Sequence, residues 1–156
     1  MGIQVAVCGP RHCTETDRTD AYEVGRLLAL AGVTVVCGGG IGVMAAVASG
    51  VRAENGVVIG VRPGDTADDA SPDLSAVIVT NLGEARNAVI VWSADAVISV
   101  GGSWGTLSEI ALAKRRGDVP VISLGGWSVL DRDGRPVPDG PTVADTARDA
   151  VRLALG

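Results

Sequence analysis

Short apolar runs alternate along this chain with segments whose apolar positions recur at helical spacing. Ile3 to Cys8 is the first such run, and its break at Gly9-Pro10 predicts a strand and a loop. From Asp17 to Ala31, Ala21, Val24, Leu27, Leu28 and Ala31 share one helical face, with acidic residues leading and Gly32 placed to end the helix. Val33 to Cys37 predicts a second strand, after which Gly38 to Gly42 opens a helix to about Ala53, with Met44, Val47 and Val51 on one face. Gly56 to Val61 predicts a third strand. Arg62 to Ser75, rich in Pro and Asp, is the longest predicted loop. Ala76 to Thr80 predicts a fourth strand, and Asn81-x-x-Glu84 has the spacing of a cap for a helix to about Ser93. Ala96 to Val100 predicts a fifth strand before Gly101-Gly102. The following helix buries Leu107, Ile110 and Ala111 and closes on Lys114, Arg115, Arg116 and Gly117, cations where the helix dipole is negative. Val119 to Leu124 predicts a sixth strand, Gly125 to Gly140 a turn-rich stretch, and Thr142 to Leu155 a last helix.

Strands and helices in this alternation, with no repeat or linker, predict one α/β domain over residues 1–156, an open, mostly parallel sheet with helices on both faces. Ligands of such sheets bind outside the carboxyl ends of the strands. The glycine breaks at Gly9, at Gly38 to Gly42 and at Gly101 to Gly105 all follow strands, so they are expected to converge on one crevice.

Composition narrows the ligand. Hydrophobic residues make up 47% of the chain with three Trp, one Tyr and no Phe, so Val, Ala, Leu and Ile fill the core. A net charge of −5 argues against a nucleic-acid or anionic-membrane partner, and any phosphate must therefore be captured locally. No apolar run approaches the roughly 20 residues that span a bilayer, and no basic leader precedes Ile3, so a cytoplasmic protein is expected. Cys8, Cys13 and Cys37 are odd in number and widely spaced for a metal site. They read as reduced thiols, with a Cys8–Cys13 redox pair as the alternative, and no metal is expected.

The stretch Ala96 to Glu109 has the form of strand, phosphate loop and helix. Gly101-Gly102 lets backbone approach a ligand, and the helix behind points free N–H groups at the same place. Thr106-x-x-Glu109 is open to two readings, a capping box or a site carboxylate. Gly40-x-Gly42-x-x-Ala45 has the context of a dinucleotide fingerprint, but it follows the second strand, and Val61-Arg62 ends the third strand where an acidic residue belongs. Arg86 sits in the first turns of a helix, against the dipole, which favours an anion beside it. Because strands four and five are sequential, Arg86 and Glu109 are expected to pair at one sheet edge. His12, in the loop after the first strand, is expected to be exposed.

Gly38-Gly39-Gly40-Ile41-Gly42-Val43-Met44, then Arg86, then Gly102-Ser103-Trp104-Gly105-Thr106-Leu107-Ser108-Glu109 together resemble the Lonely Guy family, long labelled "possible lysine decarboxylase". The resemblance covers most of the chain and implies a Rossmann-like fold, assembly as a homo-oligomer and phosphoribohydrolase activity on nucleoside 5′-monophosphates. The family signature is Pro-Gly-Gly-x-Gly-Thr-x-x-Glu with an upstream catalytic Arg, and Arg86 and Glu109 match its two functional positions. Three departures, Gly101 for Pro, Ser103 for the second Gly and Asn87 for the Lys after the Arg, resemble a sister branch that includes molybdenum cofactor carrier proteins. Decarboxylation through pyridoxal phosphate is excluded, since Lys114, the only lysine, falls in the last turn of a helix.

Two functions follow from the resemblance. In the first, Arg86 and Glu109 are catalytic, and Gly9, Gly39, Gly40, Gly42, Met44, Gly102, Ser103, Gly105 and Thr106 hold a nucleotide monophosphate, with no cofactor required. In the second, the same loops carry a phosphorylated pterin without turnover. NAD(P) binding is a weaker third.

Overall fold

A computed structural model describes residues 2–156. Seven strands form one parallel sheet: β1 (Gln4–Cys8), β2 (Thr34–Cys37), β3 (Val58–Arg62), β4 (Ala76–Val79), β5 (Ala96–Val100), β6 (Val121–Leu124) and β7 (Thr142–Ala144), in the order β4-β3-β2-β1-β5-β6-β7. Five helices connect them: α1 (Glu15–Leu30), α2 (Val43–Ala53), α3 (Arg86–Trp92), α4 (Trp104–Arg116) and α5 (Ala147–Leu155). The expected α/β class stands, and every strand pair is parallel.

The inner strands β1, β2 and β5 are apolar on both faces because helices cover both. Val5, Val7, Val35 and Ile98 pack against α1, α2 and α5, while Ala6, Cys8, Val36 and Val97 pack with Ile90 and Val91 of α3 and Ala113 of α4. Alternation along β1 thus sends Cys8 to the α3–α4 side. On the opposite side α1 and α2 cross in close contact. A Cβ at Gly25 would strike the Val47 carbonyl, and one at Gly50 the Tyr22 carbonyl, so only glycine lets the backbones approach.

Three expected elements differ. Residues 142–155 are not one helix: Thr142 to Ala144 adds a short edge strand to β6, and α5 starts after Thr146, whose hydroxyl accepts from the Asp149 amide. A three-residue edge strand leaves too little alternation to be told from a helix start. Asn81 caps nothing. Its φ of 51° is left-handed and its amide donates to Gly64, so the chain reaches α3 through a 3-10 turn at Gly83–Ala85. The long loop before it stands as expected, carrying β3 to β4 over residues 63–75 without a helix. At the other end of the chain α1 starts earlier than its apolar pattern implies, on a capping box between Thr14 and Asp17.

The crossing of α1 and α2 makes a direct test. Gly50→Val is expected to cost about 2–3 kcal/mol in urea unfolding, the usual cost of overpacking, whereas Gly64→Ala, with open space around it, is expected to stay within about 0.5 kcal/mol of the parent.

Candidate functional site

The strand order reverses between β1 and β5, and at their carboxyl ends lies a cleft of about 420 Å³. Cys8 and the loop from Gly9 to His12 form one wall, and Ser103, Trp104, Gly105, Thr106 and Glu109 of α4 form the opposite one. Gly38 after β2, Met44 of α2, and Arg62 and Pro63 at the end of β3 close a third side, with Glu84, Arg86 and Asn87 above them.

Ser103 is the N-cap of α4: its hydroxyl accepts from the Thr106 amide at 3.2 Å and lies 2.9 Å from the Thr106 hydroxyl. Trp104 and Gly105 supply the first helical amides, which have no carbonyl within the helix to bond, so this end of α4 is suited to an anion. Because Ser103 rather than Thr106 is the cap, the expected Thr106–Glu109 box does not form. Thr106, Glu109 and Ala113 are the buried face of the helix, in place of the expected Leu107, Ile110 and Ala111, of which the first two are half-buried and Ala111 is exposed. The Glu109 carboxyl therefore occupies a core position beside the Cys8 thiol. Burial pushes its pKa up to about 7, Cys8 and Arg86 draw it down, and Glu84 adds to the rise.

Arg86 and Glu109 line the same cleft, but not because strands four and five adjoin. β4 is the outermost strand, three strands removed from β1, and α3 returns the chain across the sheet. Among the described residues no ion pair joins the two. The Arg86 guanidinium donates from Nη1 to the carbonyls of Gly38, at 2.8 Å, and Val61. Arg62 donates to the same Gly38 carbonyl at 3.1 Å and pairs with Asp69 at 2.6 Å. Asn87 reaches across to α4, its Nδ2 donating to Ser108 Oγ at 2.9 Å.

Of the residues expected to touch a ligand, Gly9, Met44, Ser103, Gly105 and Thr106 line the cleft, and Gly39, Gly40, Gly42 and Gly102 do not. The Val43 amide already donates to the Pro10 carbonyl, so the N-terminus of α2 is partly occupied, and a side chain at Gly42 would collide with Pro10 and Arg11. Gly38 and Gly40 make room for arginines: a Cβ at either would come within 2.8 Å of Arg86 Nη1 or Arg62 Nη1 respectively. Gly102 is covered by the Trp127 ring, which meets Trp104 edge-on at 5.0 Å. His12 is exposed as expected, and also lines the cleft. Sequence reasoning missed Cys8, Arg11, Arg62, Glu84, Asn87 and Trp104. Arg62 left a signal as a charge ending an apolar strand, and Asn87 and Trp104 stood within the family motifs without being assigned to the site.

A model of the SLOG cluster4 family matches residues 2–142. The chain belongs to the SLOG cluster4 family. Like it, an uncharacterized protein of Archaeoglobus fulgidus is 42% identical over 98% of this chain and 95% of its own. A cytokinin riboside 5′-monophosphate phosphoribohydrolase of Mycobacterium tuberculosis is 35% identical over 71% of this chain, which spans 64% of that enzyme. Among solved structures, the molybdenum cofactor binding protein of Rippkaea orientalis superposes with a TM-score of 0.86 at 32% identity, covering 98% of this chain and 95% of that one. The molybdenum cofactor carrier protein of Chlamydomonas reinhardtii gives 0.81 at 27% identity, over 99% of both chains. These likenesses bear out the resemblance to Lonely Guy enzymes and to the carrier branch beside them.

The buried carboxyl of this SLOG cluster4 protein gives stability a pH dependence. Glu109 titrates near 7 when folded against an ordinary 4.5, so its contribution is intact below about 4.5 and is lost as pH rises through about 7. The loss is on the order of 3 kcal/mol. Urea titrations at pH 5 and pH 8 are expected to show this fall in the parent and to lose most of it in Glu109→Gln.

Proposed function

We propose that the cleft binds a nucleoside 5′-monophosphate and hydrolyses its N-glycosidic bond to free base and ribose 5-phosphate. The observation that carries this reading is the place of Glu109, a buried carboxyl titrating near neutrality roughly 7 Å along the helix from the amides suited to a phosphate. That spacing suits a ribose 5-phosphate lying with its phosphate on Ser103, Gly105 and Thr106 and its C1′ at the carboxylate.

Glu109 in its ionised form stabilises the positive charge that develops on the sugar as the C1′–N bond breaks, and directs water to C1′. The bonding pair leaves with the base nitrogen, the water oxygen bonds to C1′, and the proton shed by that water passes through Glu109 to the base. Arg86 favours the ionised carboxylate and offsets anionic charge in the bound nucleotide. No cofactor takes part. The mycobacterial relative, a cytokinin riboside 5′-monophosphate phosphoribohydrolase, supports this reading.

A second reading, a carrier that holds a phosphorylated pterin without turnover, is favoured by coverage. The likeness to the molybdenum cofactor binding protein extends over 98% of this chain, against 71% for the enzyme. Both readings include a homo-oligomer in the cytoplasm, with the outer side of α3, where Trp92 is exposed, as its contact.

Incubation with purine and pyrimidine 5′-monophosphates separates the two readings. Hydrolysis predicts release of ribose 5-phosphate, a rate that rises with pH to a plateau above about 7 as Glu109 ionises, and a loss of about 10²–10⁴-fold in Glu109→Gln. No release from any monophosphate, with a phosphorylated pterin retained by parent and variant alike, establishes the carrier instead.

A further inference from the structure

Arg62 is a buried charge in this cleft that neither reading uses. Its residue is 5% exposed, yet its carboxylate partner, Asp69, stands in the 63–75 loop with 67% of its side chain in solvent. A buried guanidinium with a solvated counter-ion is incompletely compensated. The Nε atoms of both Arg62 and Arg86 are buried without a hydrogen-bond partner. Their Nη1 atoms converge on the single carbonyl oxygen of Gly38, at 3.1 and 2.8 Å. Burial lowers the pKa of Arg86, the charge of Glu109 draws it back up, and the neighbouring charge of Arg62 adds to the lowering. The chain keeps glycine at positions 38 and 40, where a Cβ would crowd these two groups.

The geometry points to an anion receptor formed by Arg62 and Arg86 at the β2–β3 end of the cleft, which takes an acidic group on the heterocycle of the ligand. This rests on the reading above only for the phosphate at α4. β2 and β5 flank β1 in the sheet, so their ends stand about 10 Å apart. One phosphate does not bridge that distance, but a 5′-phosphate and an acid on the far ring of the same nucleotide do. The ligand class is accordingly a ring-acidified nucleoside 5′-monophosphate. Arg62 is the residue that selects it, and Asp69 is the internal anion it displaces.

Calorimetric titration with uridine 5′-monophosphate and 5-carboxyuridine 5′-monophosphate tests the assignment. The parent is expected to bind the carboxylated nucleotide on the order of tenfold more tightly, the scale of one charged hydrogen-bonded contact. Arg62→Met is expected to erase that preference while leaving affinity for uridine 5′-monophosphate within about twofold. Asp69→Asn removes the competing anion from an exposed position and is expected to widen the preference, which keeps the test decisive if Arg62→Met fails to fold. Equal affinity of the parent for both nucleotides, or equal weakening of both in Arg62→Met, overturns the receptor. If neither nucleotide binds, the nucleotide reading fails by itself, and crystals soaked in sodium phosphate decide the receptor. Density between the two guanidinium groups in the parent but not in Arg62→Met upholds it, and its absence from the parent overturns it.

Discussion

From β1 the chain turns into α1 on one side of the sheet, and from β5 it turns into α4 on the other, so the strand ends between them stay uncovered. Everything chemical in this protein depends on that divergence. It sets the capped start of α4 opposite the loop after β1. It also leaves Cys8, a residue of the core, at the floor of a cleft. A helix buries one face against a sheet whatever that face carries. Here the face that reaches the opening carries Glu109, and the sheet imposes on that carboxyl the desolvation that brings its titration to neutrality.

The cleft also reverses the electrostatic sign of the molecule. A chain of net charge −5 gathers Arg11, Arg62 and Arg86 around one opening, against Glu84 and Glu109. With Glu109 partly protonated near neutral pH, the balance there is positive. Local capture of an anion by an acidic protein, which composition alone requires, is thereby given a place.

Much of the architecture was legible because long-period signals are robust: α1 and α2 each repeat an apolar face over several turns, and the inner strands are buried on both sides, whereas the face of α4 turned inward is Thr106, Glu109 and Ala113 rather than its larger apolar residues. What escaped was short or non-local. Three residues of β7 carry no period, and the left-handed Asn81 is a backbone state that a side-chain pattern does not reveal. Arg86 and Glu109 were singled out by dipole logic and family spacing, and both line the cleft. Their expected pairing was inferred from adjacency in sequence, while in the sheet β4 and β5 lie far apart. The glycine-rich stretch after β2 misled for a physical reason: missing side chains signal that something approaches closely, without saying whether it is a ligand or another side chain. At Gly38 and Gly40 it is arginine.

That last feature ties positions together in space. A side chain at residue 38 meets Met44 Sδ and then Arg86 Nη1, and one at residue 40 meets Arg62 Nη1, so a substitution at either site displaces a side chain that lines the cleft. Alanine at residue 40 asks the free end of Arg62 to swing aside, which loosens its hold on the Gly38 carbonyl without taking the cation out of the cleft.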